Sequence, residues 1–214
     1  MPAESETLER AGLHRALGDL ALRIHATDLA RRHYEAALLL YYETRSLSGQ
    51  ANTLKALGDL SARAEDLETA QQYYDRTLQL YAQIDFQLGR ANTLKALGDL
   101  SVQGHDFQTA QDYYQRTLAL YEQIDFQLGQ ANTLQALGDL NAQANLLDVA
   151  RAYYQQAAAF YHEIDFWPQE AASLVALGDL HRQLGQTEAA RRRLSGSAPA
   201  LSGRGRPQRA SQHP

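Results

Sequence analysis

The chain has 214 residues, 20 Lys+Arg against 25 Asp+Glu, a formal net charge of -5 and no cysteine. That length gives ample core for one large or two small domains, and the lack of cysteine excludes a disulfide framework, a thiolate metal site and a cysteine nucleophile. No stretch approaches the roughly 18 consecutive apolar residues of a spanning helix, and the opening MPAESETLER lacks the apolar run of a signal peptide, so a soluble, cytoplasmic protein is expected.

Residues 1–10 read as a lead-in to the first helix. From there the chain is periodic. The string ALGDL starts at Ala16, Ala56, Ala96, Ala136 and Ala176, five copies spaced by 40 residues. This divides the array 11–194 into units 11–50, 51–90, 91–130, 131–170 and 171–194, and the second and third units agree at 29 of 40 places. Self-similarity at a fixed period marks stacked repeats, each too small to bury its apolar face alone.

Each unit reads as two helices. In the third, the stretch from Phe86 to Gln103 carries Leu94, Leu97 and Leu100 at helical spacing, with Asp85 placed to cap its start and Gly104 to end it. The second stretch, from about Asp106 to Ile124, sets Ala110, Tyr114, Leu118 and Tyr121 on one face. The short connector between them forces an antiparallel hairpin. Strand-type alternation is absent, so the expected class is all-α.

The recurrent places resemble the tetratricopeptide repeat family. Counting from Ala51 and its counterparts, Leu-Gly stands at the seventh and eighth places in all five units, from Leu17-Gly18 to Leu177-Gly178. Alanine stands at the twentieth (Ala30, Ala70, Ala110, Ala150, Ala190), and tyrosine at the twenty-fourth in four (Tyr34, Tyr74, Tyr114, Tyr154). The resemblance implies a right-handed superhelical solenoid of antiparallel hairpins, about five units with the last incomplete. The period of 40 rather than 34, and the connection LYxQIDxQLGQANTL, look like arrays found in bacterial scaffolds and in the sensor arms of signalling ATPases. Gly58 and Ala70 present no bulky side chain, which lets paired helices approach, and Tyr74 fills the gap towards the next hairpin. The tyrosine stripe reads as core, its hydroxyls reaching polar groups at the rim.

In the family the first helices line a concave groove. With the leucines turned inward, the second, fifth and ninth places form the opposite stripe. They give Asn52, Lys55 and Asp59, then Asn92, Lys95 and Asp99, then Asn132, Gln135 and Asp139 as candidate partner-binding residues. Short polar side chains beside alanine can accept an extended peptide or a helix, since asparagine offers both a donor and an acceptor to a peptide backbone. The fifth place runs Arg15, Lys55, Lys95, Gln135, Val175 while the ninth is always aspartate, so the groove grows more negative along the chain and favours a partner carrying Lys or Arg. Lys55 and Asp59, four apart, can equally pair with each other.

No catalytic motif is present. His162-Glu163 lacks the second histidine of a zinc helix, and the seven histidines do not cluster by helical spacing, so they read as surface or rim residues. Successive first helices lie about 10 Å apart, too far for single carboxylates to share one ion. Neither an enzyme, a metal nor a cofactor is expected. From Arg191 onward there are six arginines and no acid, so residues 195–214 read as a basic, disordered tail on an acidic body that opposes nucleic-acid binding. The fifth unit should form a short second helix after Thr187, leaving the face with Leu174, Leu177 and Leu180 poorly covered and open to self-association. The functional expectation is a non-catalytic scaffold that binds a partner peptide or helix in its groove. The alternative is the detached sensor arm of a larger signalling regulator.

Overall fold

A computed structural model describes residues 2–195, with side chains from Glu4 to Thr187. Nine helices follow one another among the described residues: α1 Pro2–Arg23, α2 Thr27–Glu43, α3 Leu47–Arg63, α4 Leu67–Gln83, α5 Gln87–Gln103, α6 Phe107–Gln123, α7 Gln127–Gln143, α8 Leu147–Glu163 and α9 Trp167–Ser195. From α2 to α8 every helix has 17 residues, separated by turns of three. The 40-residue period is therefore two equal helical modules. The residues expected to lead in to the first helix are part of α1 itself.

All eight turns share one construction. The middle residue is left-handed, from His25 (φ 59°) and Arg45 (φ 52°) to Asn145 (φ 58°) and Asp165 (φ 56°), and none of the eight is glycine. The next N–H reaches back five residues, as in Ala26 to the Ala21 carbonyl at 2.9 Å and Phe86 to the Tyr81 carbonyl at 3.0 Å. This is the Schellman arrangement, which satisfies the last carbonyls of one helix while reversing the chain. One sequence expectation needs correction here. Asp85 does not cap α5; it occupies the left-handed position (φ 50°), and Phe86 stands at the cap without a side-chain bond. Gly104 ends α5 as expected, standing at its C-cap with φ -77°, and His105 makes the reversal. Asp106 does cap α6, accepting from the Thr109 N–H at 3.1 Å, as Asp66 does for α4.

Extensive packing joins consecutive helices, in hairpins α1–α2, α3–α4, α5–α6 and α7–α8 that stack through the next first helix. This is an all-α solenoid in which each unit touches mainly its neighbours. Ala70 and Tyr74 of α4 meet Leu94, Leu97 and Leu100 of α5, and the same layer recurs with Ala110, Tyr114, Leu137 and Leu140 and with Ala150, Tyr154, Leu177 and Leu180. Each tyrosine also roofs the glycine of its own hairpin: a Cβ on Gly58 would lie 2.6 Å from the Tyr74 ring, and one on Gly98 2.5 Å from that of Tyr114. Glycine is required there by close approach.

The last unit departs from expectation. In place of a fifth hairpin, α9 continues without a turn to Ser195. Gln186 stands where Asp66 and Asp106 cap a second helix, and the segment after it has no stripe of large apolar residues to dock. Reversal would bury too little to offset the ordering of a left-handed turn. Ser195, where the basic tail was expected to begin, is the last residue of α9, and the rest of that segment, 196–214, lies outside the described residues.

Candidate functional site

The polar stripe of the first helices is held in place by the second helices. Each ninth-place aspartate accepts the hydroxyl of the twenty-fourth-place tyrosine on its Oδ1: Tyr34 to Asp19 at 2.6 Å, Tyr74 to Asp59 at 2.8 Å, Tyr114 to Asp99 at 2.7 Å and Tyr154 to Asp139 at 2.7 Å. Each second-place asparagine accepts a second phenol on its Oδ1: Tyr81 to Asn52 at 2.7 Å, Tyr121 to Asn92 at 2.6 Å and Tyr161 to Asn132 at 2.8 Å. The rings are core while the hydroxyls emerge at the groove.

Those bonds fix the electrostatics. Burial, then the adjacent aspartate, raises the pKa of Tyr34, Tyr74, Tyr114 and Tyr154 well above the ordinary phenol value. Burial also pushes Tyr81, Tyr121 and Tyr161 up to about 12. At neutral pH all seven phenols are neutral donors, and each aspartate has a second oxygen for another partner. In two units that partner is internal. Lys55 Nζ lies 2.9 Å from Asp59 Oδ2, and Lys95 Nζ 3.0 Å from Asp99 Oδ2. In the fourth unit Gln135 Nε2 reaches Asp139 Oδ1 at 3.3 Å while its own Oε1 accepts from Ser173 at 2.6 Å. Because the tyrosine donates to each asparagine oxygen, the Nδ2 group is the end left to face a ligand, so these side chains present donors first.

Two adjacent clefts lie along this stripe. One, of about 470 Å³ between α3 and α5, is lined by Lys55, Asp59, Asn92, Lys95 and Asp99, with Arg63 and Tyr74. The other, of about 560 Å³ between α5 and α7, is lined by Lys95, Asp99, Asn132, Gln135 and Asp139, with Tyr114, Ala136 and Tyr161. Lys95 and Asp99 belong to both. Eight of the nine predicted residues line these clefts; Asn52 lies outside both and serves Tyr81. The charges change sign along the groove. Three cations face two aspartates in the first cleft, whereas Lys95 alone faces two in the second.

The sequence pattern missed several of these residues. Arg63 sits at the thirteenth place, which is arginine in the first two units and glutamine in the other three. The tyrosine hydroxyls were placed at the rim, but their acceptors, 15 and 29 residues away, were not named. The glycine of the QLG connection was overlooked as well: the Tyr121 ring would lie 2.6 Å from a Cβ on Gly129. The histidines do not cluster by helical spacing, as expected, but the fold brings one pair together across two helices. His14 and His33, on α1 and α2, approach at 3.1 Å between their Nδ1 atoms. They stand where other hairpins have Leu54 and Tyr73, and a spacing of 19 across two helices is invisible to helical periodicity. No group of three or more His, Asp or Glu among the described residues could hold a metal ion. None of their helices is long and apolar enough to cross a membrane.

Stacked antiparallel hairpins with a polar groove along their first helices define a class of repeat solenoid. Within that class the chain belongs to the tetratricopeptide repeat family, whose model matches residues 49–123 and 89–163. No curated protein matches the sequence. Among solved structures it is similar to BtubC (BKLC) from P. vanneervenii, at 17% identity and a TM-score of 0.73 over 100% of this chain and 97% of that one. It is also similar to a Rap protein complexed with competence and sporulation factor, at 15% identity and a TM-score of 0.68 over 85% of this chain and 51% of that one. A signal transduction ATPase with numerous domains and a tetratricopeptide repeat sensor, from Pyrococcus horikoshii, aligns at 13% identity and a TM-score of 0.73, over 80% of this chain but 27% of that one. At such identities the likeness is one of fold.

Proposed function

We propose that the protein is a non-catalytic scaffold that holds an extended peptide or a helix of a partner protein across the two clefts. The observation that carries this reading is the fixed ladder of aspartates and asparagines along the groove, each oriented by a buried phenol. A ligand meeting such side chains pays little to order them, and their regular spacing suits a repeating backbone. The partner's Lys or Arg side chains fit the second cleft, where Asp99 and Asp139 outnumber Lys95. Recognition and co-localisation, with no chemical step, are then the whole mechanism, in a cytoplasmic setting.

The test must spare the fold. Alanine at Asn92 or Asp99 would strand the Tyr121 or Tyr114 hydroxyl, so lost binding could mean lost structure. Asp139→Asn keeps an acceptor for Tyr154 and removes only the charge, and Ala136→Arg fills the cleft from its wall. Fluorescence anisotropy with a panel of labelled basic, neutral and acidic peptides should show basic peptides binding tightest. Asp139→Asn should weaken them several-fold, and Ala136→Arg should weaken all binders, with an unchanged melting temperature. Indifference of every peptide to both variants would refute the groove assignment.

A second reading, a sensor arm of a multidomain signalling regulator, is favoured by the likeness to the repeat sensor of the Pyrococcus ATPase. Under it the same clefts receive the signal, and a coding sequence continuous with an ATPase or DNA-binding domain would decide for it. The 40-residue unit, with its LYxQIDxQLGQANTL connection, we assign to the bacterial-type variant of the family.

A further inference from the structure

The first hairpin breaks the repeat pattern at two places that touch. At the fourth place the next three units carry Leu54, Leu94 and Leu134, each 2–4% exposed, and at the twenty-third Tyr73, Tyr113 and Tyr153. Those tyrosines pack against the clusters that hold the leucines. In the first hairpin both places are histidine, His14 on α1 and His33 on α2. A single exchange would only remove apolar burial, whereas two exchanges that meet install a polar pair.

The geometry of that pair is that of a chelate. The Nδ1 atoms lie 3.1 Å apart, with the ring centroids at 5.3 Å and the planes tilted by 41°. Imidazole nitrogens bind zinc at about 2.0–2.1 Å, so an ion equidistant from two nitrogens at this spacing subtends about 95–102°. That angle falls between a right angle and the tetrahedral one, so the helices need not move to admit an ion. Between neutral rings without an ion, one Nδ1 carries the hydrogen that the other accepts. With an ion, both lone pairs are engaged, and the first ring takes its hydrogen on Nε2 instead, with no net loss of a proton. Both rings are half-buried, which leaves the pair open to solvent. No third histidine or carboxylate joins them among the described residues, so water fills the remaining positions, as at open zinc sites. Imidazole suits zinc, nickel and copper, while magnesium and calcium take oxygen.

We propose that His14 and His33 form a binding site for a divalent late transition-metal ion of the zinc class, which both Nδ1 atoms coordinate while water completes the shell. The ion ties α1 to α2 where the other hairpins rely on leucine and tyrosine. Neither histidine lines the two clefts of the groove, so the site stands apart from peptide binding.

The repeat itself supplies variants that spare the fold. His14→Leu and His33→Tyr restore the residues of the other hairpins, and His33→Gln keeps a polar partner for His14. His162→Gln removes another histidine with an acidic partner, Glu170 at 3.2 Å. Isothermal titration of the full chain, made without a histidine tag, with zinc chloride should find one ion per chain. Each of the three first-hairpin variants should weaken that binding by roughly tenfold or more, at least the cost of losing an outer-shell partner. His162→Gln should match the parent, and magnesium chloride should give no binding. Saturating zinc should raise the melting temperature of the parent and of His162→Gln but not of the other three, since an ion held by the folded state stabilises it. Zinc binding that survives in a first-hairpin variant, that is lost in His162→Gln, or that is absent from the parent would overturn the proposal. Equal stabilisation of all five proteins by zinc would do the same, because it places the ion elsewhere.

Discussion

Replacing Gly98 by alanine sets two magnitudes against each other. In an open helix the change should stabilise by about 1 kcal/mol through helix propensity. Here the new Cβ would lie 2.5 Å from the Tyr114 ring, against an optimum of about 3.5–4.0 Å for carbon pairs. The ring must retreat by roughly 1 Å, but it is held by its hydroxyl on Asp99 at 2.7 Å and by Leu137 and Leu140 behind it. Overpacking of this kind costs about 1–3 kcal/mol, and weakening the bond to a charged acceptor adds about 1–2 kcal/mol. The net expectation is a loss of about 2 kcal/mol, or ~4–8 °C in melting temperature for a chain of this size. Gly104→Ala is the control. Its Cβ meets nothing closer than 3.6 Å, its φ of -77° suits any residue, and alanine stands at the same place as Ala64 and Ala144. It should gain about 0.4–1 kcal/mol. Paired urea and thermal melts by circular dichroism give both signs. A neutral or stabilising Gly98→Ala would refute the account of the tyrosine layer.

Three further outcomes follow from the same geometry. The seven phenols with raised pKa values keep their protons in the folded state while unfolded phenols lose theirs near 10, so stability is intact below about pH 10 and falls as pH rises beyond it. Tyrosinate absorbance and helical circular dichroism should therefore change together in one cooperative alkaline transition; smooth titration of these phenols with the helices intact would contradict the buried ladder. Glu65→Gly, at a left-handed position (φ 60°), should stabilise by about 0.5–1 kcal/mol, the relief of the Cβ clash exceeding glycine's entropy in the unfolded chain; a lower urea midpoint would count against the turn geometry. Lys95→Gln, which copies the fourth unit, removes a half-exposed pair worth about 0.3–0.5 kcal/mol and should leave the melting temperature nearly unchanged. A large loss would mean that the pair is structural.

The tyrosine ladder also links fold and groove. A phenol that fills the gap between hairpins uses its one donor to orient a groove carboxylate or amide, so shape and surface chemistry come from the same side chain. A mutation at Asp59, Asp99 or Asp139 therefore perturbs the core unless it keeps an acceptor, and charge-only substitutions are the ones that interrogate binding.

Much of this was legible from spacing alone. In the second to fourth units the leucines at the fourth, seventh and tenth places, the alanine at the twentieth and the tyrosine at the twenty-fourth are all buried, because an α-helix projects side chains at fixed angles and a repeated unit reuses the same angles. The order of helices, the hairpin pairing and the stripe opposite the leucines follow from that local geometry. What spacing cannot reveal is a contact between helices. Asp59 with Tyr74, Asn52 with Tyr81 and His14 with His33 become neighbours only when the hairpins close and stack. Asp85 shows the same limit within a turn: aspartate both caps helices and tolerates the left-handed region, and only the Schellman reversal chose between these roles. The unbroken α9 is the plainest case, since Gly185 could have allowed a turn. A helix reverses only when its second half finds a surface worth burying, and that balance belongs to the folded molecule.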